Sequence, residues 1–382
     1  MDNRPPTSIN DDLEAFSLEQ STQKQPRKFK RLLTTFINIP KKYLLPGGLG
    51  LILAVGLGGY YVFLHKKSPE PVQAKQEVVS KAEPEPEPIF YESPLTGMLV
   101  ENESDTKRPI TGIMIENSVG VRPQSGLLEA GVVFEADAEG GITRLLALYQ
   151  EGQPDYIGPV RSARPYYVEW LAPFDAFYVH VGGDIAGKAA ISKYIQSGRN
   201  LDQYVYGSSF SRISSRIAPH NVYTDFTRLD KLEGKATSDF EPWPRKDEEP
   251  VETSTASSID MTISSPSYNP SYTYDKKTNS YLRFYGNTPH SDERTGDQIN
   301  PKVVIAMQVD KQYYNAKDGP RTDYTTVDSG KVWVFQDGQV IEGRWSKSSE
   351  SEQILFNDSN GAEIVFNRGQ TWITAVSKVA WQ

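Results

Sequence analysis

The stretch GVVFEADAEGGITRLLALYQ, residues 131–150, decides the fold of this chain. It holds two apolar runs of strand length, GVVFEAD and ITRLLALYQ, with the glycine pair Gly140 and Gly141 between them. Runs that are apolar at nearly every position are typical of strands buried on both faces of a sheet. We therefore predict two strands of a largely buried sheet here.

The segments around this stretch extend the same pattern. ITGIMIE (110–116) and DAFYVHVGG (175–183) predict further strands, whereas YYVEWLAPF (166–174) and AGKAAISKYIQ (186–196) have helical spacing. The mixture predicts an α/β arrangement for the first part of the chain. The full prediction is an α+β protein, with a mixed α/β domain followed by a small β-rich domain, behind a single N-terminal transmembrane helix.

The second part of the chain is predicted to consist of strands and hairpins. SYTYDKKTNSYLRFY (271–285) predicts a hairpin around residues 276–279, and KVWVFQDGQVIEGRW (331–345) turns at Asp337-Gly338, a dipeptide that suits a type I′ turn. The last stretch, residues 351–376, repeats the arrangement around Asn360-Gly361, so we expect a small meander or barrel. Its tryptophans either fill the core or serve as sugar-stacking platforms: Trp333, Trp345, Trp372 and Trp381.

An uncharged stretch near the N-terminus, YLLPGGLGLILAVGLGGYYVFL (43–64), is long enough to cross a bilayer core of about 30 Å. Lysines and arginines are concentrated before it, and only Lys66 and Lys67 follow before an acidic, Pro-rich run. The positive-inside rule then predicts a cytoplasmic N-terminus and an extracytoplasmic bulk. The tail before the span is too long for an ordinary signal peptide, so we expect an uncleaved, single-pass signal-anchor in the cell membrane.

Changes in composition divide the chain into six predicted segments. They are a disordered basic cytoplasmic tail, the transmembrane signal-anchor, a Pro/Glu-rich spacer, the mixed α/β domain, a polar linker and the β-rich domain. In that order their boundaries are 1–42, 43–64, 65–89, 90–233, 234–262 and 263–382.

Composition also excludes several function classes. The formal net charge of −8 argues against a duplex nucleic-acid partner, since such proteins need a dominant basic face. With no cysteine and four histidines, neither a thiolate nucleophile nor an ordinary zinc site is expected. No phosphate-binding loop or nucleophile elbow is present, so we predict no cofactor and no metal site. A divalent metal held by Glu135, Asp137, Glu139 or Asp184 stays open as the alternative.

Candidate site residues concentrate at strand ends and glycine turns of the first domain, where a backbone can approach a ligand. His180 and Glu139 are the candidate catalytic residues, and Glu135, Asp137 and Asp184 are further acids in these strings. The arginines suit a carboxylate or a phosphate because the guanidinium presents paired donors. The candidate ligand-binding residues are Arg122, Arg144, Arg161, Ser162, Arg164, Gly182, Gly183, His220 and Asn221.

Simpler interpretations of these residues remain open. The arginines can form surface ion pairs in an acidic domain, and His180 can be a hydrogen-bonded residue at a strand end. A geometric prediction distinguishes a shared ligand site from these structural roles. In a shared site, the arginines and histidines should line one concave pocket with at least one carboxylate. The residues in question are Arg144, Arg161, Arg164, His180 and His220.

Several strings together resemble the YerB-like family of Gram-positive envelope proteins. In the first part these are SPLTGMLV, RPQSGLLEAGVVFEA, EGGITRLLALYQ, IGPVRSARPYYVEW, FYVHVGG and HNVY, and in the second part YTYDKKTNSYLRFYGNTPHSD, VWVFQDGQVIEGRW and GQTWI. The resemblance covers residues 93–381 and implies a two-part domain of unknown function, usually carried on lipoproteins. This chain differs from the family pattern because it has no lipobox cysteine and has a predicted membrane span instead.

We therefore expect a membrane-anchored extracytoplasmic envelope protein, attached through residues 43–64, that binds an anionic cell-wall glycan or an envelope protein partner. The alternative is an enzyme of the phosphotransferase or hydrolase type that acts on a cell-wall or lipid-linked glycan. A looser similarity of layout to LytR-CpsA-Psr phosphotransferases motivates this alternative, in which Arg161 and Arg164 hold a phosphate or carboxylate.

Overall fold

The computed structural model describes residues 88–317 and 319–382. The predicted tail, the predicted membrane span and all but the last two residues of the predicted spacer lie outside this part of the chain. Within the described ranges, no helix is both long and apolar enough to cross a membrane. The described residues form one compact unit.

Short strands and four α-helices build this unit. In the first part the strands are β1 Tyr91–Glu92, β2 Leu99–Val100, β3 Thr111–Glu116, β4 Val132–Glu139, β5 Ile142–Tyr149, β6 Phe177–His180, β7 Asn200–Asp202, β8 Ser211–Arg212 and β9 Val222–Tyr223. The helices are α1 Glu103–Thr106, α2 Pro165–Leu171, α3 Ile185–Tyr194 and α4 Phe226–Glu233. The strands and helices predicted around residues 110–196 are thereby confirmed.

Among its described residues, the second part contains strands and one 3-10 turn, Pro266–Tyr268. They are β10 Arg245–Lys246, β11 Ser258–Thr262, β12 Pro270–Asp275, β13 Ser280–Tyr285, β14 Thr288–Pro289, β15 Val303–Gln308, β16 Lys311–Ala316, β17 Gly319–Tyr324, β18 Ser329–Gln336, β19 Gln339–Ser346, β20 Leu355–Asp358, β21 Phe366–Asn367, β22 Thr371–Val376 and β23 Lys378–Trp381. The mixed, strand-rich character of the fold agrees with the prediction.

A ten-stranded sheet runs through both parts in the order β20-β19-β18-β15-β22-β4-β5-β3-β6-β7. The parts meet where β22 pairs with β4 in parallel, with Thr371 opposite Val132 and Thr374 opposite Glu135. A second sheet of five strands, β14-β13-β12-β11-β23, contains only strands of the second part. In this sheet β11, β12, β13 and β14 pair in chain order as antiparallel neighbours, which is a small meander as predicted, while the second part also supplies half of the central sheet.

The central sheet is apolar on both faces because both are covered. Along β4, Val132, Phe134 and Ala136 belong to one hydrophobic cluster, and Val133 belongs to another. In β15, Val303 and Ile305 face the first cluster, whereas Val304 packs with residues of the second sheet in a third cluster. Two-sided burial explains why the sequence of these strands is almost continuously apolar.

Helix α2 packs tightly on the sheet. Its residues Tyr166, Tyr167 and Trp170 are buried, and Gly112 in β3 lies directly beneath Leu171. A Cβ atom at Gly112 would lie 2.6 Å from a methyl carbon of Leu171, so any larger residue would force the Leu171 side chain to move.

Three predicted local features can be compared directly with the structure. The predicted hairpins are β12–β13 and β18–β19, and at the tip of the latter Asp337 and Gly338 both have positive φ angles, as a type I′ turn requires. After Asn360-Gly361 the chain forms no regular hairpin with β20, since a single bridge between Asn357 and Glu363 precedes the step to β21. The last strand, β22, instead lies at the centre of the sheet.

The segment predicted as a linker, residues 234–262, packs against the rest of the protein. Trp243 is buried between the rings of Phe174, Phe356 and Phe366, and β10 pairs in parallel with β21. A polar composition did not reveal this packing, because the buried apolar residues are few and widely spaced: Trp243, Ala256, Ile259 and Met261. The predicted residue boundaries of the segments remain predictions.

Candidate functional site

Glu139, at the end of β4, is the centre of an arginine cluster. Its carboxylate forms ion pairs with Arg144 from β5 and Arg164 from the start of α2. Arg321 from β17 approaches the same carboxylate at 3.5 Å and also lies 3.4 Å from Asp184, which itself pairs with Arg164. Three arginines and two carboxylates thus form one largely buried cluster.

Electrostatics in this arginine cluster are dominated by burial and by the arginines themselves. Burial lowers the pKa of Arg144 to about 10, and the charge of Arg164 adds to this shift while Glu139 opposes it. Burial alone would raise the pKa of Glu139, but Arg144, Arg164 and Arg321 together lower it below its ordinary value. Two of the predicted ligand-binding arginines, Arg144 and Arg164, are therefore neutralised in large part by the protein's own carboxylates.

A second group forms around Glu116, the last residue of β3. Its side chain is 5% exposed and accepts hydrogen bonds from Nδ1 of His220 and from the hydroxyl of Ser118, both at 2.7 Å. The Nε atom of Arg161 lies 3.4 Å away, and its Nη1 atom donates to the carbonyl of Pro219. Arg161 and His220 thus share one buried carboxylate, which the sequence did not single out.

The remaining candidates have local partners. His180 is 1% exposed, and its two ring nitrogens contact the carbonyl of Gly182 at 2.7 Å and Oδ1 of Asn200 at 2.6 Å. Asn221 accepts a hydrogen bond from Arg212 and donates to the carbonyl of Ile213. These are the contacts of residues that stabilise strand ends and loops, and they leave no ring nitrogen of His180 for a substrate.

Two predicted residues shape the backbone near His180. Gly182 has a φ angle of 56° and donates its N–H to Asp202, while Gly183 packs against Ala163. Ser162 contributes its carbonyl oxygen, which accepts a hydrogen bond from Arg144. The predicted residues therefore fall into two charged groups and a set of backbone supports, rather than into one shared pocket.

A cavity of about 670 Å³ lies between the two parts of the chain and contains Arg122. Arg122 is the only side chain among its lining residues with a permanent charge. The lining comes from both parts and consists of Val119, Arg122, Pro123, Pro266, Ser267, Tyr285, Gly286, Thr288, Pro289, His290 and Ser291. Its volume is that of an ordinary small-molecule site.

Arg122 is held in this cavity by neutral groups. Its Nε atom donates to Oδ1 of Asn117 at 2.9 Å, and its terminal nitrogens donate to the carbonyls of Asn117 and Ser267. The guanidinium lies over the ring of Tyr285, 3.5 Å from the ring centre. Within the described residues no carboxylate pairs with Arg122, so the cavity carries an uncompensated positive charge.

Behind the cavity lies a fully buried ion pair that joins the two parts of the chain. Arg283 in β13 donates to Glu135 in β4 at 2.7 Å, and neither side chain is exposed. The hydroxyl of Tyr285 and the indole N–H of Trp372 also donate to this carboxylate, at 2.7 and 3.1 Å. Glu135, the earlier candidate acid, is therefore saturated with donors.

His290 connects this ion pair to the cavity wall. Its Nδ1 atom accepts from Arg283 at 3.0 Å, and its Nε2 atom contacts Oε1 of Gln124 at 2.8 Å. Burial, with the charges of Arg283 and Arg122, holds the pKa of His290 well below its usual range. This histidine is neutral at pH 7 and acts as a fixed wall of the cavity.

Sequence analysis missed Glu116, Arg283, Tyr285 and His290. One signal was available for the buried pair: Glu135 interrupts the apolar run VVFEAD, and Arg283 interrupts the alternating run SYLRFY. A charge inside an apolar strand needs an opposite charge when both are buried.

The four tryptophans of the second part divide between core and surface. Trp345 and Trp372 are buried in the core, whereas Trp333 and Trp381 are partly exposed beside it.

Comparison with known proteins places the chain in a family. Residues 95–240 match the N-terminal domain, and residues 259–373 the C-terminal domain, of a protein of unknown function, DUF3048. YerB of Bacillus subtilis (strain 168), named as a candidate lipoprotein, is 32% identical over 295 residues, which are 74% of this chain and 86% of that protein.

A solved structure gives the same result. The crystal structure of the YerB protein from Bacillus subtilis is similar with a TM-score of 0.66 at 29% identity, covering 76% of this chain and 99% of that one. The two-part resemblance deduced from the sequence motifs is thereby confirmed. The chain belongs to the DUF3048 family of YerB-like proteins.

Proposed function

We propose that this chain is a membrane-attached protein of the cell envelope that binds an anionic glycan in the cavity around Arg122. The name of the relative YerB describes a candidate lipoprotein, which favours attachment to the membrane. This chain has no cysteine to carry a lipid, so the uncharged stretch 43–64 takes the role of the anchor. The folded part then faces the outside of the membrane.

The uncompensated charge of Arg122 is the observation that carries the proposal. A guanidinium has five N–H donors, and three hydrogen bonds from Arg122, two to Asn117 and one to Ser267, are all to neutral oxygens. Donors and charge therefore remain for an anion in the cavity. Stacking on Tyr285 holds the guanidinium in place, which reduces the entropy lost on binding.

The remaining cavity wall suits a sugar. Val119, Pro123, Pro266 and Pro289 provide apolar surface for the C–H face of a sugar ring, and Ser267, Thr288 and Ser291 carry hydroxyls for its polar edge. Sites of this kind combine an apolar wall with a few placed polar groups. The lining contains no carboxylate, and both ring nitrogens of its histidine are engaged by Arg283 and Gln124, which favours recognition over acid–base catalysis.

A calorimetric titration of the full-length protein tests the proposal. The probes are D-galacturonate, D-glucuronate and glycerol phosphate, with D-galactose as the neutral match of the first. We expect one or more of the anions to bind and galactose not to bind. Arg122→Gln is expected to weaken binding at least tenfold, which is about 1.4 kcal/mol.

Arg344→Gln provides the matched control, because Arg344 is an exposed arginine on β19. This variant should bind like the unaltered protein. Equal binding of galactose and galacturonate, full affinity in Arg122→Gln, or no binding of any of the three anions by the folded protein would each overturn the proposal.

A further inference from the structure

The loop between β3 and the 3-10 turn Val119–Val121 connects the cavity to the Glu116 group. Glu116 positions His220 and Arg161, while Val119, three residues further on, is 53% exposed and lines the cavity. Three residues of chain span at most about 10 Å. The two regions are therefore neighbours along the same loop.

Glu116 fixes the orientation of both side chains beside it. Because a carboxylate only accepts hydrogen bonds, the proton of a neutral His220 must lie on Nδ1, and the lone pair must lie on Nε2. The side chain of His220 is 42% exposed, and within the described residues its Nε2 atom has no partner. It can accept a hydrogen bond from a hydroxyl group in solution.

Arg161 adds an anion-binding group at the same place. Its Nε atom faces Glu116 and its Nη1 atom faces the carbonyl of Pro219, while Nη2 has no partner within the described ranges. The side chain is 19% exposed. The Nε2 atom of His220, which can accept a hydrogen bond from a hydroxyl group, thus lies beside the guanidinium of Arg161, which can donate to an anion. This pair matches a sugar unit that carries both a hydroxyl and an anionic group.

Arg216 braces the connecting loop from outside. It donates to the carbonyls of Val121 and Pro123 at 2.7 and 3.0 Å, and its charge is paired with Glu293 at 3.1 Å. Because Arg216 lies four residues before His220 in the chain, these hydrogen bonds tie the segment of His220 to the segment of Arg122 and limit changes in their separation. A fixed separation favours a ligand whose own anionic groups recur along a chain.

We infer that Arg161 and His220 form a second subsite, and that the ligand is a polymer with repeated anionic units rather than a single anionic sugar. This inference rests on the proposed function, since the first unit occupies the cavity at Arg122. Linking two units makes the second contact intramolecular, so affinity rises without new chemistry in either subsite.

Comparison of a monomer with an oligomer in calorimetric titrations of the full-length protein tests the second subsite. D-galacturonate and its linear hexamer are the carboxylate probes, and glycerol phosphate and its linear hexamer are the phosphate probes. For one of these pairs, we expect the hexamer to bind at least tenfold more tightly than the monomer. Arg161→Gln, and separately His220→Gln, should reduce this ratio at least fivefold.

Two further variants control for structure and general charge. Arg161→Lys keeps the positive charge, so its ratio of hexamer affinity to monomer affinity should fall less than that of Arg161→Gln. In Arg344→Gln this ratio should be unchanged. Thermal unfolding of each variant shows whether it is folded. A fivefold loss in Arg344→Gln as well would mean that general attraction to positive charge causes the effect, and would overturn the inference.

The outcomes separate this inference from the proposed function. If monomers bind through Arg122 but the hexamer ratio is the same in Arg161→Gln as in the unaltered protein, the second subsite is wrong and the cavity proposal stands. If neither monomers nor hexamers bind, both fail. If hexamer binding needs Arg161 but not Arg122, the cavity is not the first subsite, and the inference fails with it.

Discussion

The arginine cluster around Glu139 and the cavity around Arg122 use the same residue type in opposite ways. In the arginine cluster, Arg144 and Arg164 are buried and bonded to Glu139, and Asp184 adds a second negative charge. Arg122 is half-buried, is bonded to neutral oxygens only and borders open space. The number of arginines in a motif therefore does not indicate where a ligand binds.

The difference lies in what balances each charge. An arginine whose terminal nitrogens are bonded to a carboxylate, like Arg144 and Arg164, gains little from an external anion, since the two compete for the same donors. An arginine without such a partner retains both charge and donors for a ligand. Three changes test this contrast, beginning with the most deeply buried ion pair.

Glu135→Gln is expected to have the largest effect on stability. Arg283 would remain fully buried without its counter-charge, and breaking a buried pair in this way costs about 3–5 kcal/mol. Urea unfolding of the full-length protein at pH 7 measures the loss. Glu342→Gln, an exposed glutamate on β19, should change the free energy of unfolding by about 0.5 kcal/mol or less. A loss below about 1 kcal/mol in Glu135→Gln would show that the pair does not support the fold.

Glu139→Gln should cost less, about 2 kcal/mol at pH 7, because its side chain is partly exposed and Asp184 still faces two of the arginines. The arginines lower the pKa of Glu139 in the folded protein below its ordinary value of 4.5. Its stabilisation is therefore complete above that pH and is lost as the pH falls through the lower, folded-state pKa.

The difference in unfolding free energy between the unaltered protein and Glu139→Gln should accordingly shrink as the pH falls from 5 toward the acid limit of the fold. Urea unfolding at pH 7, 5 and 4 measures this dependence. A difference that stays constant with pH, or grows toward acid, would contradict the assignment of Glu139 as an ionised partner of the arginines.

Arg122→Gln should have the smallest effect on stability, about 1 kcal/mol, since it removes hydrogen bonds to neutral oxygens and one contact with Tyr285. The same urea experiment applies. A loss as large as that in Glu135→Gln would make Arg122 a structural residue and remove the contrast with the arginine cluster.

Much of the local structure follows from sequence alone. Apolar runs such as 131–137 and 142–150 predicted buried strands, and Asp337-Gly338 predicted a type I′ turn. Both predictions succeed because the signal for each lies in residues that are adjacent in the sequence. Motifs spread over residues 93–381 also identified the family. The arginines of the strings 139–144 and 158–165 were recognised as a concentration of charge.

Tertiary structure alone decided the sheet and the site. The pairing of β22 with β4 joins residues more than two hundred positions apart, and no local pattern specifies such a pairing. The same long-range packing brings Arg283 to Glu135 and Arg321 to Glu139, and it places Arg122 beside Tyr285, where no carboxylate of the described residues pairs with it. A residue type determines what a side chain can bind, whereas the neighbours that the fold supplies determine whether it is free to do so.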